Sequence, residues 1–576
     1  MTLVHKVFAI TGVVQGVGFR PAVHRLAIQA GLHGSVQNCS GSVRLVLQGA
    51  EHEVDEFVAA LPDRLPQLAR IDRCDLCERA ILESRSILPG FRILESDEAD
   101  PPLLTFPPDL AMCAGCAKEV LDPDDRRYGY PFTTCTLCGP RFSVIDGVPY
   151  DRMRTTMSAF PLCSECSAEY HDENSRRFHA ESIACPACGP QLVFSSGSAG
   201  EAGREALRLA RRALAAGKIL ALRGIGGYLL VCDPFQRPVL DKLRARKNRP
   251  HKPFAVMARN LAVLGKYANV PHAAVQALVS PAAPIMILEA ARQTAPRLPL
   301  DLISPDTFSI GAMLPTSPLH LLLFTPLDGD VLPEFDLLVM TSGNKRGEPV
   351  CLSNKEAVFR LSEIADAFLF HDREINLRAD DSVCVLQGEE LQKWRRSRGY
   401  TPQAVRLKYP LKRCVLALGG ELKNAIAVGE GERIVPSAHI GDLDTPEAVA
   451  GLTDTVRCFP DFLYQTPHAI AVDLHPDLQS TVLGQKLAKE YSLDLVCVQH
   501  HYAHAASAMA EHGLSECLAL AFDGTGYGTD GTIWGGELLA ARLDGFVRRA
   551  HFRCAALPGG DAAVREPVRQ VVARLD

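Results

Sequence analysis

The 576-residue chain has no apolar run of about eighteen residues, which excludes a membrane-spanning helix. Its opening, MTLVHKVFAITG, lacks the apolar stretch and cleavage site of a secretory leader, so a cytoplasmic address is the default expectation. A large excess of either sign of charge is also missing: the formal net charge is −6, which gives no global pull toward nucleic acid or an acidic membrane. What is present is an ordinary globular mixture, 47% hydrophobic and 22% charged, at a length that suits about three to five domains. Cysteine is the exception. Of nineteen cysteines, eight fall in four CxxC pairs between Cys113 and Cys188, a distribution that disulfides in a reducing compartment do not explain.

Residues 1–96 alternate short elements: a strand VFAI, a helix PAVHRLAIQA, strands at GSVQN and VRLVLQG, a helix EVDEFVAAL, and a closing strand FRILES. That order, βαββαβ, is the ferredoxin-like arrangement. A proline-rich linker, DEADPPLLTFPPD, leads into residues 105–192, where two segments align without a gap at a period of fifty. Glu119 matches Glu169, Arg126–Arg127 match Arg176–Arg177, and each copy ends in CGP. After a second expected linker, SSGSAGEAG, strand and helix signals continue from residue 200 to 400 as an α/β domain. A further α/β region runs from 410 to 576. The fold class expected is therefore multidomain, α+β at the front and α/β behind.

Four stretches carry chemistry. The loop TGVVQGVGFRPAV, with Gln15, Gly16, Val17, Gly18 and Phe19, sets glycines before a helix, so backbone N–H groups and the helix dipole can gather around one anion. Arg20 at its edge can grip two oxygens in a fork. The spacing is not that of a dinucleotide fingerprint. In the repeats, Cys113, Cys116, Cys135 and Cys138, then Cys163, Cys166, Cys185 and Cys188, follow C-x2-C-x18-C-x2-C twice, the spacing of two structural zinc sites. Pairing within each repeat or across the two uses the same residues. Residues 113–190 hold eight Lys/Arg against eleven Asp/Glu, so the basic footprint of a nucleic-acid-binding zinc module is missing. Cys74 and Cys77 form another CxxC with no matching second pair and are placed in a strand of the first domain.

Basic residues crowd LRARKNRPHKPFAVM, and MTSGNKRGEPV puts Ser342 and Asn344 in a turn after an apolar strand. Converging cations and small polar groups suit a nucleoside triphosphate and its leaving pyrophosphate. Further on, QHHYAH places His500 and His504 four apart, on one face of a helix, where they could share a divalent metal. LGGELKNA and the glycine-rich turn DGTGYG, with Asp523, are suited to phosphate and metal.

QGVGFR followed by Asn38 at a strand end resembles the acylphosphatase signature. The likeness implies that Arg20 and the loop hold the phosphate while Asn38 orients the attacking water. Residues 200–400 resemble the YrdC-like domain that makes carbamoyl-adenylates, which implies Lys247, Arg249, Lys252, Ser342 and Asn344 at a site for Mg-ATP and carbamate. The last region resembles the Kae/TsaD-like branch of the actin/sugar-kinase superfamily. There His500 and His504 would hold a metal, and Lys423, Asn424, Asp523, Gly524 and Gly526 would contact nucleotide. That likeness also implies a further half-domain beyond Asp576 with the aspartate ligand, which leaves the third metal ligand unassigned.

In this order the modules resemble, over the whole chain, the HypF carbamoyltransferases of nickel–iron hydrogenase maturation. The likeness implies carbamoyl phosphate and ATP as substrates and HypE, through its C-terminal cysteine, as acceptor, with no nucleic-acid or membrane partner. A tRNA threonylcarbamoyl-type enzyme is the alternative within adenylation chemistry, and a zinc-dependent regulatory scaffold the alternative outside it. The missing basic character and the acylphosphatase-like front count against the first.

Overall fold

A computed structural model describes residues 2–575 except 40, 67, 84–88, 98–105, 148, 198–199, 293–295 and 333. Residues 98–105 of the expected proline-rich linker, and 198–199 of the second, lie outside the described residues. The chain forms two compact units: residues 1–403 with 437–439 and 462–464, and residues 404–436, 440–461 and 465–576.

The first unit begins with an antiparallel sheet backed by two helices, Phe19–Gln29 and Glu51–Arg64. Strand Leu3–Val13 pairs with Val43–Ala50 on one side and with Arg70–Ile81 on the other, and His33–Asn38 pairs with Val43–Ala50. The fourth strand of the ferredoxin-like unit is therefore Arg70–Ile81, which carries Cys74 and Cys77, and not FRILES. Phe91–Ile93 adds a fifth strand at the opposite edge, parallel to His33–Asn38. Cys74 and Cys77 thus lie in a strand as expected; its rank in the order escapes a reading by pattern because it is an edge strand, charged and exposed along most of its length, with no buried face to impose alternation.

The twin repeats contain little regular structure. Each opens a short helix directly after its first cysteine, Ala114–Leu121 and Ser164–His171. Beyond them lies an eleven-stranded mixed sheet. Strands such as Leu220–Arg223 and Leu337–Ser342 are almost wholly buried, as expected when helices cover both faces. One layer packs helix Gly203–Ala215 and helix Pro318–Phe324 through Leu207, Leu214, Leu322 and Phe324; the other packs Arg237–Arg246 through Leu240 and Leu243. The expected second linker is partly structure, since Gly200–Ala202 pairs with Leu192–Ser195 at the sheet edge.

In the second unit, parallel strands Val405–Ala417, Ala469–Asp473 and Asp494–Val498 carry an antiparallel edge strand, Ala427–Pro436. A three-stranded meander follows: Glu516–Tyr527, Ile533–Arg542 and Gly545–His551. DGTGYG is not a turn but the bulged end of the first of these strands, with the register shift between Phe522 and Gly526. Among the described residues no helix is long and apolar enough to cross a membrane.

Candidate functional site

The front loop is built for an anion. Gly16 and Gly18 take left-handed φ values of 67° and 75°, and a Cβ on Gly16 would lie 2.5 Å from Pro107 Cγ, so glycine is required there. Gly18 caps helix Phe19–Gln29, and Arg20 sits in its first turn with its side chain buried. Gln15 ties the loop to the strand ending in Asn38, donating to the Cys39 carbonyl at 2.7 Å. Asn38 is fully buried, and neither polar atom of its amide has a partner among the described residues. A buried orphaned amide beside an anion loop is a place for an ordered water or a substrate oxygen.

The zinc repeats wall this loop in. Gly16, Gly18 and Arg20 share a cavity of about 20 Å³ with Arg141, Tyr150 and Glu181, space for roughly one water. Arg141 donates to the Gly16 carbonyl at 2.8 Å and to the carbonyls of Cys135 and Cys138, pinning the first knuckle to the loop. Glu181, from the second repeat, accepts from Arg20 Nη2 at 3.1 Å. Its other oxygen accepts from the Arg152 N–H at 3.1 Å and the Tyr170 hydroxyl at 2.7 Å. Burial pushes the Glu181 carboxyl above the ordinary carboxylate range, and Arg20 pulls against that. Burial and Arg20 together bring His179 down to about 3. Neither Arg141 nor Glu181 could be found from sequence, since each acts across more than a hundred residues of chain.

The cysteines settle into two clusters, each closed within its own repeat. Neighbouring sulfurs stand 3.5–3.8 Å apart in the first and 3.7 Å in the second. A tetrahedral zinc with bonds of about 2.3 Å sets its sulfurs roughly 3.8 Å apart, so both donor sets fit that ion. The matched residues of the repeats pair crosswise. Arg176 and Arg177 clasp Glu119 of the first repeat, and Arg176 reaches Cys116 Sγ at 2.9 Å. Arg126 and Arg127 clasp Glu169 of the second, and Arg126 reaches Cys166 Sγ at 3.3 Å. Four thiolates on one divalent ion leave two negative charges, which each arginine pair offsets from the opposite module. Burial would raise the Glu169 carboxyl, but the Arg127 guanidinium outweighs it and brings it down to about 2.

Further along the first unit, Lys247 Nζ donates to the Ser342 carbonyl at 2.5 Å and to the Asn344 side-chain oxygen at 2.8 Å. Ser342 Oγ meets the same Asn344 oxygen at 2.8 Å. Arg249 donates to Thr341 Oγ1 at 3.3 Å and to the Lys252 carbonyl at 3.1 Å. The basic stretch and the SGN turn, about ninety-five residues apart, therefore meet at one place. Lys252 enters through its carbonyl, and its side chain is exposed. Burial lowers the Lys247 ammonium well below its usual range, Arg249 adds to the effect, and Asp380 opposes it. A buried cation held by neutral oxygens is poised to take an anion's charge.

In the second unit, His500 and His504 lie on the first turns of helix His500–His512, which follows the strand Asp494–Val498. Asp473 ends the adjacent parallel strand and accepts from His500 Nδ1 at 2.6 Å. His500 Nε2 and His504 Nε2 stand 2.8 and 3.6 Å from one oxygen of Asp523. Ligands about 2.1 Å from one ion lie roughly 3.0–3.4 Å apart, so these three donors fit a shared metal, with Asp473 orienting His500 from behind. Asp523, expected as a nucleotide contact, is thus the carboxylate that stands with the two histidines. Gly526 lets the strand approach, since a Cβ there would lie 2.5 Å from His501 Cε1. Gly524 donates its N–H to Asp523 Oδ1 at 2.7 Å. Asn424 spends its amide on the Leu418 and Gly420 carbonyls, holding its own loop, while Lys423 anchors by its N–H to Asp442.

Comparison with known proteins agrees module by module. Residues 6–93 match the acylphosphatase family, and 112–145 and 162–194 the HypF finger. Residues 212–397 match the Sua5/YciO/YrdC family described as telomere recombination. Residues 410–511 match the HypF Kae1-like domain, and 519–576 the second subdomain of the Kae1-like carbamoyltransferase domain. The carbamoyltransferase HypF of Synechocystis sp. is 42% identical over 98% of this chain and 72% of its own length. The chain belongs to the HypF carbamoyltransferase family. A probable HypF of Methanocaldococcus jannaschii is 38% identical over 98% of the chain and 73% of its own. A full-length HypF structure in phosphate- and nucleotide-bound form superposes with a TM-score of 0.91 at 38% identity, covering 100% of this chain and 73% of that one. The T. kodakarensis HypF structure gives 0.88 at 37% identity, covering 99% and 72%.

Proposed function

We propose that this HypF-family chain runs a three-step carbamoyl relay. In the first step the loop N–H groups and Arg20 hold the phosphate of carbamoyl phosphate, and Asn38 holds a water. The water oxygen attacks phosphorus, the bond from phosphorus to the bridging oxygen breaks, and phosphate and carbamate leave. In the second, carbamate oxygen attacks the α-phosphorus of Mg-ATP beside Lys247, Arg249, Ser342 and Asn344, giving carbamoyl-adenylate and pyrophosphate. In the third, the His500–His504–Asp523 region, with a divalent metal supplying charge, passes the carbamoyl group to the C-terminal cysteine thiolate of HypE, and AMP leaves.

The observation that carries the reading is the pairing of an anion loop and its arginine with a buried Asn38 amide that has no partner among the described residues. Carbamate decomposes in water, so a site that makes it gains from standing in the same molecule as the site that consumes it. The test is isotope exchange between ATP and pyrophosphate. It should require carbamoyl phosphate, and exchange that is equally fast without it would overturn the relay.

A further inference from the structure

We infer that Glu181 is a specificity-determining residue, whose carboxylate receives the amino group of carbamoyl phosphate and disfavours acyl phosphates that carry a methyl there. The inference rests on the carbamoyl-phosphate reading of the front site.

Glu181 breaks the symmetry of the repeats. Fifty residues earlier its counterpart is Pro131, so the zinc fold does not itself ask for a carboxylate at this place. The side chain is 2% exposed and opens on the same cavity as the anion loop. Burying a carboxylate there is costly unless something needs it. One oxygen is fixed by the Tyr170 hydroxyl and the Arg152 N–H. The other accepts only from Arg20 Nη2 among the described residues, at 3.1 Å.

Once a phosphate engages the Arg20 guanidinium, that oxygen shares its donor with a dianion and has a lone pair to fill. The carbamoyl group offers two N–H bonds to it. An acetyl group offers a methyl, which leaves the buried carboxylate short of a donor. A site built to accept from an N–H rejects the analogue lacking it, and one charged hydrogen bond accounts for roughly ten- to hundredfold.

The experiment compares kcat/KM for carbamoyl phosphate and acetyl phosphate in the zinc-loaded chain, for wild type, Glu181→Gln and Tyr170→Phe. Using the ratio of the two substrates cancels their intrinsic reactivities. The ratio should fall roughly tenfold or more in Glu181→Gln, and by a smaller factor in Tyr170→Phe, which frees Glu181 without removing it. If both substrates lose the same factor, Glu181 only positions Arg20 and the inference is overturned. Tyr170→Phe supplies the answer should Glu181→Gln not fold, because an unchanged ratio there is equally contrary. A wild-type chain that hydrolyses neither substrate overturns the carbamoyl-phosphate reading itself.

Discussion

Replacing Arg20 with methionine should cost activity at every pH but stability mainly at high pH. The substitution removes the fork that holds the phosphate, so hydrolysis of acyl phosphates should fall at least a hundredfold. It also leaves Glu181 buried with no cation against Oε1, 3.1 Å from where Arg20 Nη2 stood. Breaking a buried pair from one side costs about 3–5 kcal/mol when the remaining charge stays ionised. Glu181 has an escape, which is to take up a proton. From an unfolded carboxyl pKa of about 4.3, that costs at most about 1.36 × (7 − 4.3), or roughly 3.7 kcal/mol at pH 7, and roughly 1.6 kcal/mol at pH 5.5. The Arg152 N–H and Tyr170 hydroxyl, still in place, lower both figures. The sign follows from the raised carboxyl: stability is fully present below the unfolded pKa and is lost as pH rises through the folded one. Urea unfolding of the zinc-loaded chain at pH 5.5, 7 and 8 should therefore show a penalty relative to wild type that grows by up to about 2 kcal/mol between 5.5 and 7. Adding Glu181→Gln should remove that growth. A penalty independent of pH, or one that shrinks as pH rises, would refute the reasoning.

Metal analysis should find two zinc ions per chain on the cysteine clusters, and Cys135→Ser should lose one of them with a drop in thermal stability; equal melting of zinc-free and zinc-loaded protein would contradict this. Arg176→Ala should weaken zinc retention in the first cluster, whose cysteines lie in the other repeat, and leave the second cluster's zinc unchanged in a chelator competition assay. Lys247→Met should lower carbamoyl-phosphate-dependent AMP formation by about a hundredfold with acyl-phosphate hydrolysis intact, and equal loss of both would break the assignment. Asp473→Asn should lower divalent-metal affinity at His500 and His504 by roughly ten- to a hundredfold in calorimetric titration, while Asp523→Asn should cost more.

Much of the site chemistry was legible because it is local. The glycines, Arg20 and the helix they cap lie within one turn of each other, and the CxxC spacings are short enough to state a zinc site on their own. His500 and His504 were readable for the same reason, through helical periodicity. What escaped lies in strand pairing and in contacts between modules. Asp523 was read as part of a glycine turn because DGTGYG has turn composition, yet it is the bulge in a strand whose partner is Ile533–Arg542, and the bulge aims its carboxylate at the histidines. Cys74 and Cys77 were rightly placed in a strand, but the rank of Arg70–Ile81 as the fourth strand of the unit was missed because an exposed edge carries no burial pattern.

The repeats make the same point in a sharper form. The alignment at a period of fifty exposed Glu119, Glu169 and the two arginine pairs as matched, but a match does not say whether the partners lie in the same copy or in the other. The structure makes the contact once in each direction between copies: the arginine pair of each repeat meets the glutamate and a cysteine sulfur of the other, where its charge would offset a zinc held by four thiolates. The matched glutamates and arginines are thus those the twin modules need for each other, while the matched cysteines serve their own module. Positions that fail to match are released from that duty, and Glu181 opposite Pro131 is one of them. A departure from internal symmetry that also turns a buried carboxylate onto a neighbouring anion loop is where a duplicated structural module has been given work at an active site.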